Sequence, residues 1–273
     1  MVKFRSILKW SFIGLVLLFI YFPIIFLTIN SFNATNIIQE GWQGFSLEHY
    51  KYFFNPKNEP LQVVGQTILL ALVVAFLSTI LGTIGAIGIF YSRKRTNMAL
   101  SAVNRIPVIN AEVVTAISFA LFISFFHFDK STFIPLILGQ MILCTPFVLL
   151  SVMPKLRQMD NNLYEAALDL GASPTKALFS VIVPQILPGI LAGFMLSITL
   201  SLDDYIITAT LAPLGYDTIS TAVYKAIALT TEKASEQVPI YRALTTIIFL
   251  ITIAVVVVLN VRSGKKKTDK RKA

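Results

Sequence analysis

Charge is scarce in this chain: Asp, Glu, Lys and Arg make up 14% of its 273 residues, against 55% hydrophobic residues and a mean hydropathy of +0.73. A soluble domain carries about 25% charged residues to coat its water-facing surface, so most of this chain belongs in lipid. Cysteine is nearly absent. The single Cys144 lies inside an apolar run, which excludes an intrachain disulfide and a cysteine metal cluster and leaves packing as its expected role. The two histidines, His49 and His127, stand apart with no second ligand near in sequence, so no metal site is expected. There is no G-x-x-x-x-G-K-[ST] segment, since Gly264-Lys265 in the tail has no upstream glycine and no strand before it. The chain therefore lacks a phosphate cradle of its own. No nucleophile and base set emerges either, which excludes an intramembrane enzyme.

What the chain does have is long uncharged stretches. About 20 apolar residues cross the hydrocarbon of a bilayer, and six such stretches occur, at about 10–29, 64–91, 106–126, 133–153, 186–212 and 243–261. They predict an all-α integral membrane protein with six transmembrane helices in a single domain, 1–273. The first stretch follows Lys3, Arg5 and Lys9 and resembles a signal peptide, but its apolar core is too long and no small-x-small cleavage site follows. It is read as an uncleaved first span. The net charge of +9 is gathered into short blocks between spans, a pattern of membrane topology and not of nucleic-acid binding. The N-terminus, the 92–105 and 154–185 loops and the tail hold 17 of the 23 Lys and Arg residues, so the positive-inside rule puts both termini in the cytoplasm. The basic tail 262–273 serves that topology and has the charge to touch anionic lipid.

Two outer loops, about 30–63 and 213–242, are longer than a connection needs. Their aromatics (Trp42, Tyr50, Phe53; Tyr216, Tyr224, Tyr241) suit interfacial anchoring or an external partner. Inside the spans, Ser78, Gly82 and Gly85 mark the second. Gly189, Gly193, Ser197 and Ser201 form an unbroken four-residue ladder in the fifth. Small residues at helical spacing let helices approach closely. Pro23, Pro107, Pro146 and Pro188 are placed to kink the helices.

The 154–185 loop reads as folded. Asn161 or Asn162 is placed to cap a short helix, Gly171 to end it, and Ser173-Pro174 to start the next. Leu163, Ala166, Ala167 and Leu170 fall at i, i+3, i+4 and i+7, an apolar stripe on a helix too short to be stable alone and in want of a groove. Glu165 and Asp169, four apart and alike in charge, carry a small penalty that a partner would relieve.

Charged groups inside apolar spans point elsewhere. Glu112, Asp203 and Asp204 lie in stretches without any Lys or Arg, and each costs about 2.5–3.5 kcal/mol or more at the bilayer centre. A cationic substrate, a basic partner group, a water-filled cavity or protonation would offset that cost. Counting from the cytoplasmic start of the fifth span near residue 186, Asp203 is 17 residues on, about 25 Å at 1.5 Å per residue. That places the aspartate pair in the outer part of the bilayer and Glu112 at the opposite, cytoplasmic end. Asp204 falls on the stripe of Ser197 and Ser201, while Asp203 points away from it. One of the two is expected to line the path and the other an interhelical contact. Two separated anionic stations suit an elongated polycation, with Tyr205 and Tyr224 available as aromatic faces for ammonium groups.

These segments resemble a known family. The run Glu165-Ala166-Ala167, three residues, Gly171, nine residues, Val181-Ile182-Val183-Pro184 is similar to the EAA signature of ABC-importer permeases, with Val181 and Val183 as conservative departures from I-x-L-P. Leu200-Ser201-Leu202-Asp203-Asp204 resembles the paired-aspartate segment of spermidine/putrescine permeases of the second type. Ile106-Pro107 through Glu112-Val113-Val114 resembles their P-x-x-x-P-D-I-V, with Ala111 for the second proline and Glu112 for the aspartate. A local kink at Ala111 thereby loses the residue that would enforce it.

The resemblance implies a type I ABC-importer permease fold with a cytoplasmic coupling helix at about 162–171, in the bacterial cytoplasmic membrane. In that reading Glu165, Ala166, Ala167 and Gly171 contact an ATPase subunit, and ATP and Mg are bound by that partner and not by this chain. The implied assembly adds a second, homologous permease chain, two ATPase subunits and an extracytoplasmic polyamine-binding protein, and works by alternating access. The alternatives are a permease of the same class for thiamine, ferric iron or an amino acid, and a proton-coupled carrier using the three carboxylates as a relay. Paired aspartates without basic residues favour a cation. A carrier would not need the EAA element and would carry internal repeats, which the sequence does not display.

Overall fold

The computed structural model describes residues 2–34, 41–54, 59–129, 131–160, 162–228, 240–250 and 253. Every element named among them is helical: α1 Val2–Asn30, α2 Glu48–Phe53, α3 Glu59–Phe90, α4 Lys94–Ile109, α5 Glu112–Phe125, α6 Ile134–Gln158, α7 Asn162–Asp169, α8 Pro174–Ala177, a π-helical segment Leu178–Ile182, α9 Val183–Asp203, α10 Ile206–Leu211 and α11 Ile219–Ala228. A shorter apolar helix covers Ile240–Leu250. The basic tail 262–273, the far end of the expected sixth span and Asn161 lie outside the described residues.

Among the described residues, four helices are long and apolar enough to cross a bilayer: Trp10–Asn30, Pro60–Phe90, Ile134–Gln158 and Pro174–Asp203. The expected third span is two helices, α4 and α5, bent by 106°. Asn110 and Ala111 both adopt extended backbone there, with ψ of 147° and 134°, so the chain breaks even though Ala111 is no proline. The expected fifth span needs correction at both ends. Its helix begins at Pro174 and not near 186, because the apolar run continues back through the π segment, and it stops at Asp203. In the π segment the Val183 N–H bonds the Leu178 carbonyl, five residues back. Pro184 has no N–H to give the Ser180 carbonyl, and a proline inside a helix forces such an adjustment.

The described chain divides into two compact units, Val63–Ala222 and Met1–Gln62 with Val223–Ala273. In the second of these, α1 exposes its apolar side chains along its length, from Trp10 to Ile29, as a helix solvated by lipid does. Beyond it Phe32 stacks between Phe45 and Tyr50 at centroid distances of 5.5 and 5.1 Å. The buried Asn33 holds the segment from Gly41 by donating to the Gly41 carbonyl (2.7 Å) and accepting from the Gln43 N–H (2.9 Å). Of the aromatics singled out here, Phe53 and Tyr241 are buried, and Trp42 and Tyr224 are exposed.

In Val63–Ala222, α6 is the central helix. One core cluster joins Ala86 and Ile89 of α3, Val148 to Leu156 of α6, and Ile182 and Ile186. The other joins Leu70 and Val74, Ala116, Leu136 to Cys144, and Ile207 and Leu211. Lipid is as apolar as leucine, so close packing and not expulsion from water holds such helices together. The small-residue ladder does this work: Gly189, Gly193, Ser197 and Ser201 are all buried along α9, against α6. A Cβ on Gly189 would lie 2.8 Å from Lys155 Cγ and 3.0 Å from the Ser151 carbonyl.

Candidate functional site

The fifth span breaks because of what Asp204 bonds. Its N–H still bonds the Leu200 carbonyl (3.1 Å), closing α9. Its carboxylate then accepts from the N–H groups of Ile207 (Oδ1, 3.1 Å) and Thr208 (Oδ2, 2.9 Å) and from the Thr208 hydroxyl (2.6 Å). A side-chain acceptor that satisfies otherwise orphaned N–H groups starts a helix, so Asp204 ends one helix and opens the next. It is only 3% exposed.

A second helix joins in. Gln140 of α6, fully buried, donates through Nε2 to Asp204 Oδ2 (2.9 Å) and to Thr208 Oγ1 (3.0 Å). The Ser201 hydroxyl donates to Gln140 Oε1 at 2.6 Å, which fixes the amide with its nitrogen toward Asp204. Four donors thus surround the Asp204 carboxylate, and every polar atom of Gln140 is used. The carboxylate left open is Asp203, the last residue of α9 and exposed. Asp204 is accordingly the interhelical member of the pair. Ser197 and Ser201 share its buried stripe.

Glu112 is not where a straight third span would place it. It opens α5, which packs on α10, and its half-buried carboxyl lies within electrostatic reach of both Asp204 and Asp203. The expected pair of anionic stations at opposite ends of the path is therefore overturned: the three carboxyls form one cluster. The 106° break between α4 and α5 is the reason, since rise counted along a single helix fails across it. Tyr205 sits at the break, half-buried, and Tyr224 is exposed on α11 within the other compact unit. Gln140 is absent from the residues singled out in the sequence. It carries no charge, yet an amide in the middle of an apolar run is itself a signal, because it must be paired there.

The 154–185 segment folds as its residues direct. At the end of α7 the Ala172 N–H bonds the Ala167 carbonyl (3.0 Å) and the Gly171 N–H bonds the Leu168 carbonyl (2.9 Å), a Schellman cap with Gly171 at φ +83°. Ser173 caps α8, accepting from the Lys176 N–H at 3.4 Å. Asn162 is the first helical residue and not the cap. Tyr164 seats α7 by packing on the first core cluster and lying 5.8 Å from the Tyr91 ring. The other side is open: Glu165 and Ala166 are exposed, as are Leu163 at 47% and Leu170 at 89%.

Residues 78–263 match the family described as binding-protein-dependent transport system inner membrane component. The chain is 30% identical over 261 residues to the spermidine/putrescine transport system permease protein PotC of Haemophilus influenzae, covering 96% of this chain and 98% of that one. It is 30% identical over 216 residues to the putrescine transport system permease protein PotI of Escherichia coli K12, covering 77% and 76%. Among solved structures, a chain of a bacterial ABC transporter involved in the import of the acidic polysaccharide alginate superposes with a TM-score of 0.62, covering 97% of both chains at 18% identity. That last likeness is one of fold.

Proposed function

The chain belongs to the binding-protein-dependent transport system inner membrane components, and from that membership we propose that it forms half of the translocation pathway of an ATP-driven polyamine importer. It is a multi-pass inner-membrane subunit of an ABC importer. The names of its relatives, PotC and PotI, support spermidine and putrescine as cargo.

The observation that carries the reading is the cluster of Glu112, Asp203 and Asp204, built into stretches that contain no Lys or Arg. Carboxyls crowded in low dielectric repel one another unless a proton or a cation intervenes. An ammonium group is such a cation, and a cluster left one carboxylate in the open, Asp203, is suited to receive it. In this reading Asp203 and Glu112 contact the passing polyamine, Tyr205 offers an aromatic face, and Asp204 supports the site from behind.

Coupling is assigned to α7. Its exposed Leu163, Ala166 and Leu170 and the Glu165 carboxylate suit insertion into a groove of an ATPase subunit, where the alanines permit close approach and Gly171 turns the chain away. ATP and Mg belong to that partner. A second homologous permease chain, two ATPase subunits and an extracytoplasmic polyamine-binding protein complete the assembly, with both termini of this chain in the cytoplasm.

ATP-dependent uptake of labelled spermidine into proteoliposomes holding the assembled complex tests the proposal. Asp203→Asn is expected to abolish most uptake while the complex still assembles, and Glu165→Ala to lower uptake together with stimulated ATPase activity. Undiminished spermidine uptake by Asp203→Asn would remove the carboxylate argument for a polycation.

A further inference from the structure

The buried amide of Gln140, on α6, reaches both halves of the broken span. It touches α9 through Ser201 and α10 through Asp204 and Thr208. Its surroundings leave it no freedom, because Ser201 fixes its oxygen and Asp204 and Thr208 take both hydrogens of its nitrogen. The amide is therefore a clamp whose position sets where α9 ends. Asp203 is the last residue of α9 and adjoins the clamped Asp204; Glu112 opens α5, which packs on α10, within electrostatic reach of both aspartates.

We infer that Gln140 is a positioning residue for cation recognition: by clamping Asp204 it keeps that carboxylate from acting as a ligand and holds Asp203 and Glu112 at the spacing that receives the cargo. The inference rests on the proposed cationic cargo but not on which cation it is. Gln140 itself, with no exposed surface, does not touch substrate. Removing its amide leaves the buried Asp204 short of one donor, so the carboxylate must find another partner. A passing cationic cargo is such a partner, held in the wrong place. Groups that act as one unit respond non-additively when removed together.

The test uses the assembled complex in proteoliposomes, with KM and Vmax of ATP-dependent uptake measured for spermidine and for putrescine. Gln140→Leu is expected to raise KM about tenfold while Vmax falls no more than about twofold. The double variant Gln140→Leu/Asp204→Asn is expected to have the KM of Gln140→Leu within about twofold. A role in packing alone predicts the reverse, with lower complex yield and Vmax at unchanged KM, and that result overturns the inference. Where Gln140→Leu does not assemble, Ser201→Ala carries the test, since it releases Gln140 Oε1 and lets the amide turn. A rise of a few fold in KM supports the clamp, and an unchanged KM overturns it. Should wild-type complex carry neither polyamine, the cargo reading fails by itself, and the same KM comparison with the cation that it does carry decides the role of Gln140.

Discussion

Gly193 of α9 and Val148 of α6 meet almost backbone to backbone: a Cβ on Gly193 would stand 3.1 Å from both Cα and Cγ1 of Val148. Val148 is held from its other side as well, since a Cβ on Gly82 of α3 would lie 2.6 Å from Val148 Cβ. One valine thus fixes the spacing of three helices.

Bulk at that contact is expected to separate α9 from α6. Gly193→Val should cost about 1–3 kcal/mol, the usual penalty of overpacking a tight interior, and lower the melting temperature of the detergent-solubilised complex. Gly193→Ala should cost less, and Val148→Ala should restore part of it by clearing Cγ1 though not Cα.

The two aspartates are expected to respond differently to the same chemical change. Asp204→Asn removes an acceptor from the Thr208 hydroxyl and turns an amide toward Gln140, so a loss of about 1–3 kcal/mol is expected for the unsatisfied buried groups. Asp203→Asn, on an exposed side chain, should leave stability unchanged. Thermal unfolding of the two purified variants, side by side, reads the difference, and equal stability would contradict the hydrogen-bonded burial of Asp204.

At the end of α7 the left-handed backbone of Gly171 is expected to tolerate asparagine but not alanine. Gly171→Ala puts a Cβ into φ +83° at a cost of about 1–2 kcal/mol, while Asn adopts that conformation readily. Substrate-stimulated ATPase activity of the assembled complex should therefore fall in Gly171→Ala and be largely kept in Gly171→Asn. Equal activity in both would mean that the turn does not set the pose of α7.

Much of this was legible in the sequence where the signal is additive. Apolar runs overlap α1, α3 and α6, with α1 beginning eight residues before the run at 10–29, and the cap residues Gly171 and Ser173 mark the end of α7 and the start of α8. The breaks were not legible by the same means. Hydropathy sums side chains and is blind to backbone direction, so stretches 106–126 and 186–212 each read as one span although Asn110-Ala111 and Asp204-Tyr205 interrupt them. Yet Asp204 ahead of an apolar run ending in Thr208 is a helix-start signal. Read that way, it would have located the second break. The nearness of Glu112 to Asp204 is a tertiary relation that no local pattern carries, and Gln140, being uncharged, leaves no mark on a pattern of charges.

The π-helical segment Leu178–Ile182 has a consequence for how α9 meets the loop before it. A π turn fits an additional residue into the helix, and one residue corresponds to about 100° of rotation. Upstream of Leu178 the helix is therefore out of phase with the buried ladder of Gly189, Gly193, Ser197 and Ser201. The segment acts as a phase shifter, setting the azimuth of α8, and of α7 joined to it, independently of the face α9 turns toward α6. A one-residue deletion within it would change the chain's length by little and its heading by a great deal.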